Sequence, residues 1–64
     1  EKNYQENLLD LVSFFKEYAP LYGFYYLGIE NDMRGDYRLL GLKPTTNYRF
    51  DNDCYAAPLE AVNA

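Results

Sequence analysis

Five acidic side chains in two predicted loops are the first candidates for chemistry. They are Glu30, Asp32, Asp36, Asp51 and Asp53. Carboxylate oxygens are the ligands that calcium prefers, so these loops could hold a cation if they met at one end of a sheet. The spacing does not fit an EF-hand loop starting at Glu30, since Arg34 would occupy a ligand position and Gly41 the place of the terminal carboxylate. A small cation-binding domain is therefore kept as an alternative function, with no metal ligand assigned.

The residues that usually carry out catalysis are scarce. The chain has no histidine and one cysteine, which excludes a histidine base, an internal disulfide and a Cys/His zinc site within one chain. Cys54 has no histidine to activate it, and Asp51 and Asp53 nearby disfavour a thiolate, so we expect a buried small residue. The four glycines fit no phosphate-binding fingerprint. We expect no catalytic residue, no cofactor and no enzymatic activity.

The tripeptide Arg34-Gly35-Asp36 has the residue types that integrin-binding loops present. Such receptors recognise a guanidinium and a carboxylate on either side of a flexible glycine, and a hairpin tip between two strands would display them. A glycine followed by an aspartate is equally the chemistry of an ordinary turn. The motif therefore predicts a turn, and an extracellular adhesion or receptor ligand is kept as an alternative function.

Aromatic residues are the most unusual part of the composition. Eight tyrosines and four phenylalanines make up 19 % of the 64 residues. One explanation is core filling by broad side chains whose hydroxyls reach the surface. The other is a contact surface, because tyrosine is enriched at the centre of protein interfaces. Both explanations are open from composition alone.

The charge pattern restricts the classes of partner. Ten acidic and six basic residues give a net charge of −4, and the basic residues form no run. Nucleic-acid backbones bind clustered positive charge, so no nucleic-acid partner is expected. No stretch approaches the ~20 apolar residues that cross a bilayer, so no membrane span is expected. The start at Glu1 indicates processing or excision from a longer chain, and the composition fits more than one compartment.

One N-terminal helix is predicted at about residues 3–19. Asn3 and Glu6 have the spacing of a capping box, and Pro20 ends the helix near Tyr18. Apolar side chains recur at spacings of three and four along this segment, which predicts one buried stripe. The stripe comprises Leu8, Leu11, Val12, Phe15, Tyr18 and Ala19.

Three short segments rich in aromatic and aliphatic residues predict strands at about 24–30, 37–42 and 47–50. Their short connections suit hairpins rather than parallel crossovers. We therefore predict a single α+β domain over residues 1–64, in which the helix packs on a three-stranded antiparallel meander. A tail at 51–64 contains a short helical turn starting at Pro58. Gly28 and Gly41 predict bulges or the close approach of another element. The predicted core comprises Leu8, Leu11, Val12, Phe15, Leu27, Ile29, Leu39, Tyr48 and Phe50.

A single helix can cover only one face of a sheet, and this gives the functional hypothesis. If Leu27 and Ile29 pack on the helix, the alternating side chains face the other way and need a partner. We predict a protein–protein interaction module or small subunit that acts through an aromatic sheet face. Its centre is assigned to Phe24, Tyr26, Tyr37 and Leu40. Self-association into a homodimer is the simplest form of such a partner.

Overall fold

A computed structural model describes residues 3–64, so residues 1 and 2 of the predicted domain lie outside the described residues. The elements are α1 (Tyr4–Tyr18), a 3-10 helix (Ala19–Tyr22), β1 (Tyr26–Ile29), α2 (Asp36–Leu40), β2 (Lys43–Asn47), β3 (Asn52–Pro58) and a last 3-10 turn (Leu59–Ala61). The predicted α+β class is confirmed, with its N-terminal helix, three-stranded antiparallel sheet and C-terminal helical turn.

The capping residues of α1 are those that the sequence predicts. The N–H of Glu6 donates to Asn3 Oδ1 at 2.8 Å, and Asn3 Nδ2 donates to Glu6 Oε1 at 3.2 Å. Pro20 follows two residues after the last α-helical residue, and the chain tightens into the 3-10 helix. Gly23, at φ +85°, ends that turn in a left-handed conformation that suits glycine.

The segment predicted as the second strand, residues 37–42, forms most of α2 and the turn after it, so that strand prediction is wrong. Asp32 accepts hydrogen bonds from the N–H groups of Asp36 and Tyr37, each at 2.9 Å, and so satisfies the start of the helix. Gly41, at φ +75°, ends it, and the N–H of Leu42 donates to the Tyr37 carbonyl at 2.8 Å. Both ends of the segment therefore favour a helical turn over strand pairing.

The third strand prediction, residues 47–50, is also wrong, because only Asn47 of that range lies in a strand and the rest turn. Asn47 Oδ1 accepts the N–H of Arg49 at 3.1 Å, and Asp51 adopts φ +52°, a conformation that reverses the chain. The predicted tail instead supplies β3, the longest strand. Ala56 and Ala57 are poor strand formers, but Ala56 pairs with both β1 and β2 and Ala57 pairs with β1, and this pairing holds them in the sheet.

The strand order is β1-β3-β2, with β3 antiparallel to both neighbours. β1 and β2 therefore run in the same direction on either side of β3, and the order departs from the sequential order of a meander. Strands that run in the same direction need a longer connection, and the segment containing α2 provides it. The expected hairpin connection between the first two strands is wrong, because residues 37–42 are part of the connection and not a strand.

The hydrophobic core lies between the helices and one face of the sheet. Its buried members are Val12, Leu40, Leu42, Ala57 and Val62, with Leu8, Leu9, Leu27, Ile29, Tyr37 and Tyr55 packed around them. Lys16 Nζ donates to the Val62 carbonyl and so joins α1 to the C-terminal turn. Leu59, in that turn, is also buried.

The predicted core is correct for Val12 and in part for Leu8, Leu27 and Ile29, which pack against it. Leu39 is half-buried. Four other predicted core side chains are exposed, and their assignment is wrong. They are Leu11, Phe15, Tyr48 and Phe50. The contact face of α1 runs through Val12 and Lys16, which turns Leu11 and Phe15 outward, and Tyr48 and Phe50 lie in the turn between β2 and β3.

Candidate functional site

The two faces of the sheet carry different residues. Leu27, Ile29, Tyr55 and Ala57 lie on the inner face, against the helices. The register places a second set of side chains on the outer face. They are Tyr26, Gly28, Lys43, Thr45, Cys54, Ala56 and Pro58. None of these outer-face residues is fully buried, and Tyr26 is largely exposed.

The structure separates the four residues assigned to the partner-binding face. Phe24 and Tyr26 are exposed at and just before the start of β1, as that assignment requires. Tyr37 lies on α2, and its ring stacks on Tyr55 with centroids 4.0 Å apart. Leu40, also on α2, is only 1 % exposed and cannot contact a partner. The placement of Tyr37 and Leu40 on the sheet is therefore corrected, because their segment is helical.

Two grooves lie around the 3-10 helix. One, of about 260 Å³, is lined by Phe14, Phe15, Tyr18, Ala19, Tyr22 and Phe24. The other, of about 410 Å³, is lined by Lys16, Pro20, Tyr25, Tyr26, Pro58, Leu59 and Glu60. We call their aromatic residues the aromatic surface: Phe14, Phe15, Tyr18, Tyr22, Phe24, Tyr25 and Tyr26. Every one of these rings is exposed.

The rings on α1 contact one another rather than the core. Phe14 and Tyr18, one helical turn apart, have centroids at 4.6 Å, and Phe14 and Phe15 meet edge to face at 6.1 Å. None of these three rings packs into the core: Phe14, Phe15 and Tyr18 are all exposed, whereas Val12 and Lys16 on the same helix face the rest of the fold.

The chain has more accessible surface than its mass predicts. The surface is 5159 Å² at 7.5 kDa, whereas a compact monomer of that mass has about 4,250 Å². The radius of gyration is 12.0 Å, against about 10.7 Å for a compact domain of this length. The shape is a slab of 37 × 29 × 16 Å. The excess of about 900 Å² is close to the ~800 Å² that each partner buries in a standard interface.

The loop carboxylates hold the fold together. Glu30 accepts hydrogen bonds from the side-chain amides of Asn47 at 3.0 Å and Asn52 at 3.1 Å, which ties the end of β1 to the β2–β3 turn. Asp32 accepts from the backbone at the start of α2. Within residues 3–64, no three histidine, cysteine, aspartate or glutamate side chains come together as a metal site would require.

The pKa of Asp32 lies below its ordinary value. Burial opposes ionisation, but hydrogen bonds from the backbone N–H groups of Tyr37, Asp36 and Gly35 outweigh it, and Arg38 adds a favourable charge. In its ionised form, Asp32 thus holds the start of α2 by accepting these backbone hydrogen bonds.

The Arg34-Gly35-Asp36 motif runs from the loop after β1 into the first residue of α2 and does not form a hairpin tip. The guanidinium of Arg34 lies 4.2 Å from the centre of the Tyr4 ring, and the Tyr4 hydroxyl donates to Asp36 Oδ2 at 2.5 Å. The hydrogen bond to Asp36, followed by burial, raises the pKa of Tyr4 above its ordinary value. Both charged groups of the motif therefore contact α1, and they brace the loop against that helix.

Cys54 is a half-buried free thiol on the outer face, so the prediction of a buried residue holds only in part. No helix in the described part of the chain is long and apolar enough to cross a membrane. Comparisons with models of known protein families, with curated proteins and with solved structures find no match to this chain.

Sequence reasoning missed Phe15 and Tyr18 as surface residues, because helical spacing predicts a buried stripe wherever apolar side chains recur, and it assigned no site role to Phe14 or Tyr22. The available signal was the density of rings on both sides of Pro20, where a proline ends the helix and no strand has yet begun.

Proposed function

We propose that this chain is a protein-interaction module that works by burying its aromatic surface against another protein chain. One observation carries this proposal: seven exposed rings are gathered around the 3-10 helix of a thin fold whose accessible surface exceeds that of a compact monomer. Contiguous apolar patches of more than a few hundred Å² are rare on monomers. Rigid aromatic side chains are also the residues that contribute most to binding at interface centres.

The position of the exposed rings matters as well as their number. Exposed aromatic residues also occur elsewhere, since Tyr48 and Phe50 lie in the β2–β3 turn. That pair stands apart from both grooves, whereas Tyr22 and Phe24 line the same groove. A partner side chain inserted there would contact several rings at once, and such well-packed pockets are where binding energy concentrates.

The chain contains a matched control for this proposal. Tyr22 and Phe24 are 77 % and 66 % exposed, and Tyr48 and Phe50 are 90 % and 66 % exposed, with the same residue types at the same spacing. A photoreactive phenylalanine analogue placed at position 22 or at position 48, in the native source, tests which location contacts protein. We expect a discrete protein adduct from position 22 and none from position 48.

Adding Phe24→Ser to the position-22 protein is expected to abolish that adduct, because it removes a ring from the groove. Adding Phe50→Ser is expected to leave it unchanged. The proposal is wrong if position 22 gives no adduct, or if both positions give the same set.

A further inference from the structure

The β1 strand has one unpaired edge, and the register identifies the backbone groups on it. The N–H of Leu59 donates to the Tyr25 carbonyl at 2.9 Å, and the next pair places Tyr26 opposite Pro58, which has no N–H. Hydrogen-bonded pairs alternate along an antiparallel ladder. The N–H and C=O groups of Tyr26 and Gly28 therefore point away from β3. Within residues 3–64 they have no hydrogen-bond partner.

The opposite edge of the sheet, on β2, is protected. The same alternation makes Lys43 and Ala56 a hydrogen-bonded pair, which directs the backbone of Pro44 outward. Proline has no N–H to offer to another strand, and lysine and proline are residues that natural proteins place on edges to prevent pairing. From Tyr26 to Ile29, β1 contains no lysine, no proline and no charged residue. It is therefore the edge that can accept a further strand.

Gly28 leaves room on this edge that the chain itself does not use. Its φ is not positive, and a Cβ there would meet only Ala56 Cβ and the Tyr55 carbonyl, both at 3.9 Å, which is ordinary contact. Glycine weakens a strand, and within a strand it often marks the close approach of another group. The intramolecular fold does not require glycine here, so an intermolecular contact is the explanation that the position favours.

We propose that β1 pairs antiparallel with β1 of a second copy, about a two-fold axis at Leu27. In this register Tyr26 and the partner's Gly28 form a hydrogen-bonded pair, and the symmetry repeats it. The Tyr26 ring then covers the partner's Gly28 on the outer face, a cross-strand arrangement known to stabilise edge glycines. The inference rests on the proposed function and names its partner, a second copy of this chain.

The register also avoids repulsion between two acidic chains. Each chain has a net charge of −4, but the pairing sets Glu30 opposite the partner's Phe24 and places no like charges directly across the interface. The remaining repulsion acts at long range and is screened by salt. Association is therefore expected to strengthen as ionic strength rises.

The accessible surface area of the chain is consistent with a dimer of this kind. The excess of about 900 Å² over a compact monomer is close to the ~800 Å² that each partner buries in a standard interface. Strand pairing alone buries less than this. The exposed rings at the start of β1, Phe24 and Tyr26, lie beside the paired edge and supply the apolar part of the contact.

Amide hydrogen exchange of the unmodified chain tests the pairing. At high dilution the amides of Tyr26 and Gly28 should exchange rapidly while that of Leu27 is protected by β3. At about 1 mM, where even weak dimers form, all three should be protected. A dimer in which Tyr26 and Gly28 still exchange rapidly overturns the edge pairing but leaves the proposed function standing. A monomer at 1 mM also overturns it, and the position-22 adduct then tests the proposed function separately.

A chemically synthesised chain gives a second test. N-methylglycine at position 28 replaces the outward N–H with a methyl group, so it removes the donor and keeps the partner strand at a distance. The dimer then loses two symmetry-related hydrogen bonds, from each Gly28 N–H to the Tyr26 carbonyl of the other chain, and we expect dimerisation to weaken about a hundredfold. Gly28→Ala keeps the N–H but places a Cβ where the partner's Tyr26 ring approaches, so it is the control for the hydrogen bond, with dimerisation expected to weaken by about tenfold at most. Circular dichroism at high dilution checks that the folds match. Equal dimerisation of the two synthetic chains overturns the inference.

Discussion

Replacing Leu40 with alanine is expected to unfold the chain at a much lower temperature, because Leu40 is the most buried large side chain in the core. Leu→Ala substitutions at such positions cost about 2.7–5 kcal/mol. At about 0.05–0.15 kcal/mol per residue, the whole chain has about 3–10 kcal/mol of stability. The substitution therefore removes a large share of the total, and a melting temperature lower by at least about 10 °C is expected.

The matched control is Leu11→Ala, at a leucine on α1 that is 51 % exposed. Its cost is about 1 kcal/mol or less, because much of that side chain is already in contact with water. Thermal unfolding of both variants at one low concentration, followed by circular dichroism, gives the comparison. Equal shifts for the two leucines would contradict the packing of α2 against the core, and with it the correction that removes Leu40 from the binding surface.

Three further substitutions test the structural contacts of the loops. The lowered pKa of Asp32 contributes stability above about pH 4, and that contribution is lost as the pH falls through the folded-state pKa. Asp32→Asn is therefore expected to reduce the difference in unfolding free energy between pH 7 and pH 3, as measured by urea unfolding. The raised pKa of Tyr4 contributes stability below about pH 10, and that contribution is lost as the pH rises through the folded-state pKa. Tyr4→Phe is therefore expected to reduce stability to urea at pH 7 and to abolish this loss of stability at alkaline pH. Gly41→Ala is expected to lower the melting temperature through a cost of about 1–2 kcal/mol, because φ is +75° there, a conformation that residues with a Cβ rarely adopt. An unchanged melting temperature would contradict that backbone conformation.

Local signals were sufficient to predict the first helix and the fold class. Asn3, Glu6 and Pro20 act on the backbone beside them, so their effect can be read without knowing the rest of the fold. β1 was predicted for a similar reason, since the aromatic and aliphatic residues at 24–30 favour a strand, which the structure forms over Tyr26–Ile29. The end signals of α2 were also present, with Asp32 ahead of it and Gly41 after it, but the apolar residues between them read equally well as a strand.

The central strand could not be predicted locally. β3 contains two alanines and ends at Pro58, and its conformation is fixed by pairing with β1 and β2. The backbone of Pro58 points toward the β2 side of the sheet, but the pairing with β2 ends at Lys43 and Ala56. No partner there needs an N–H from position 58, so proline is tolerated. The aromatic surface was misplaced for a related reason. The face of α1 that packs on the fold, through Val12 and Lys16, determines which of its rings stay exposed, and that face is set by the tertiary structure.

The proposal that the aromatic surface is buried against another chain is most directly tested by the mass of the chain in solution across a dilution series. Sedimentation equilibrium of the unmodified chain is expected to change from 7.5 kDa at high dilution to twice that mass at about 1 mM. The Tyr22→Ser/Phe24→Ser chain is expected to remain monomeric, and the Tyr48→Ser/Phe50→Ser chain to dimerise like the unmodified one. A mass of 7.5 kDa for all three chains at every concentration would contradict self-association through this surface.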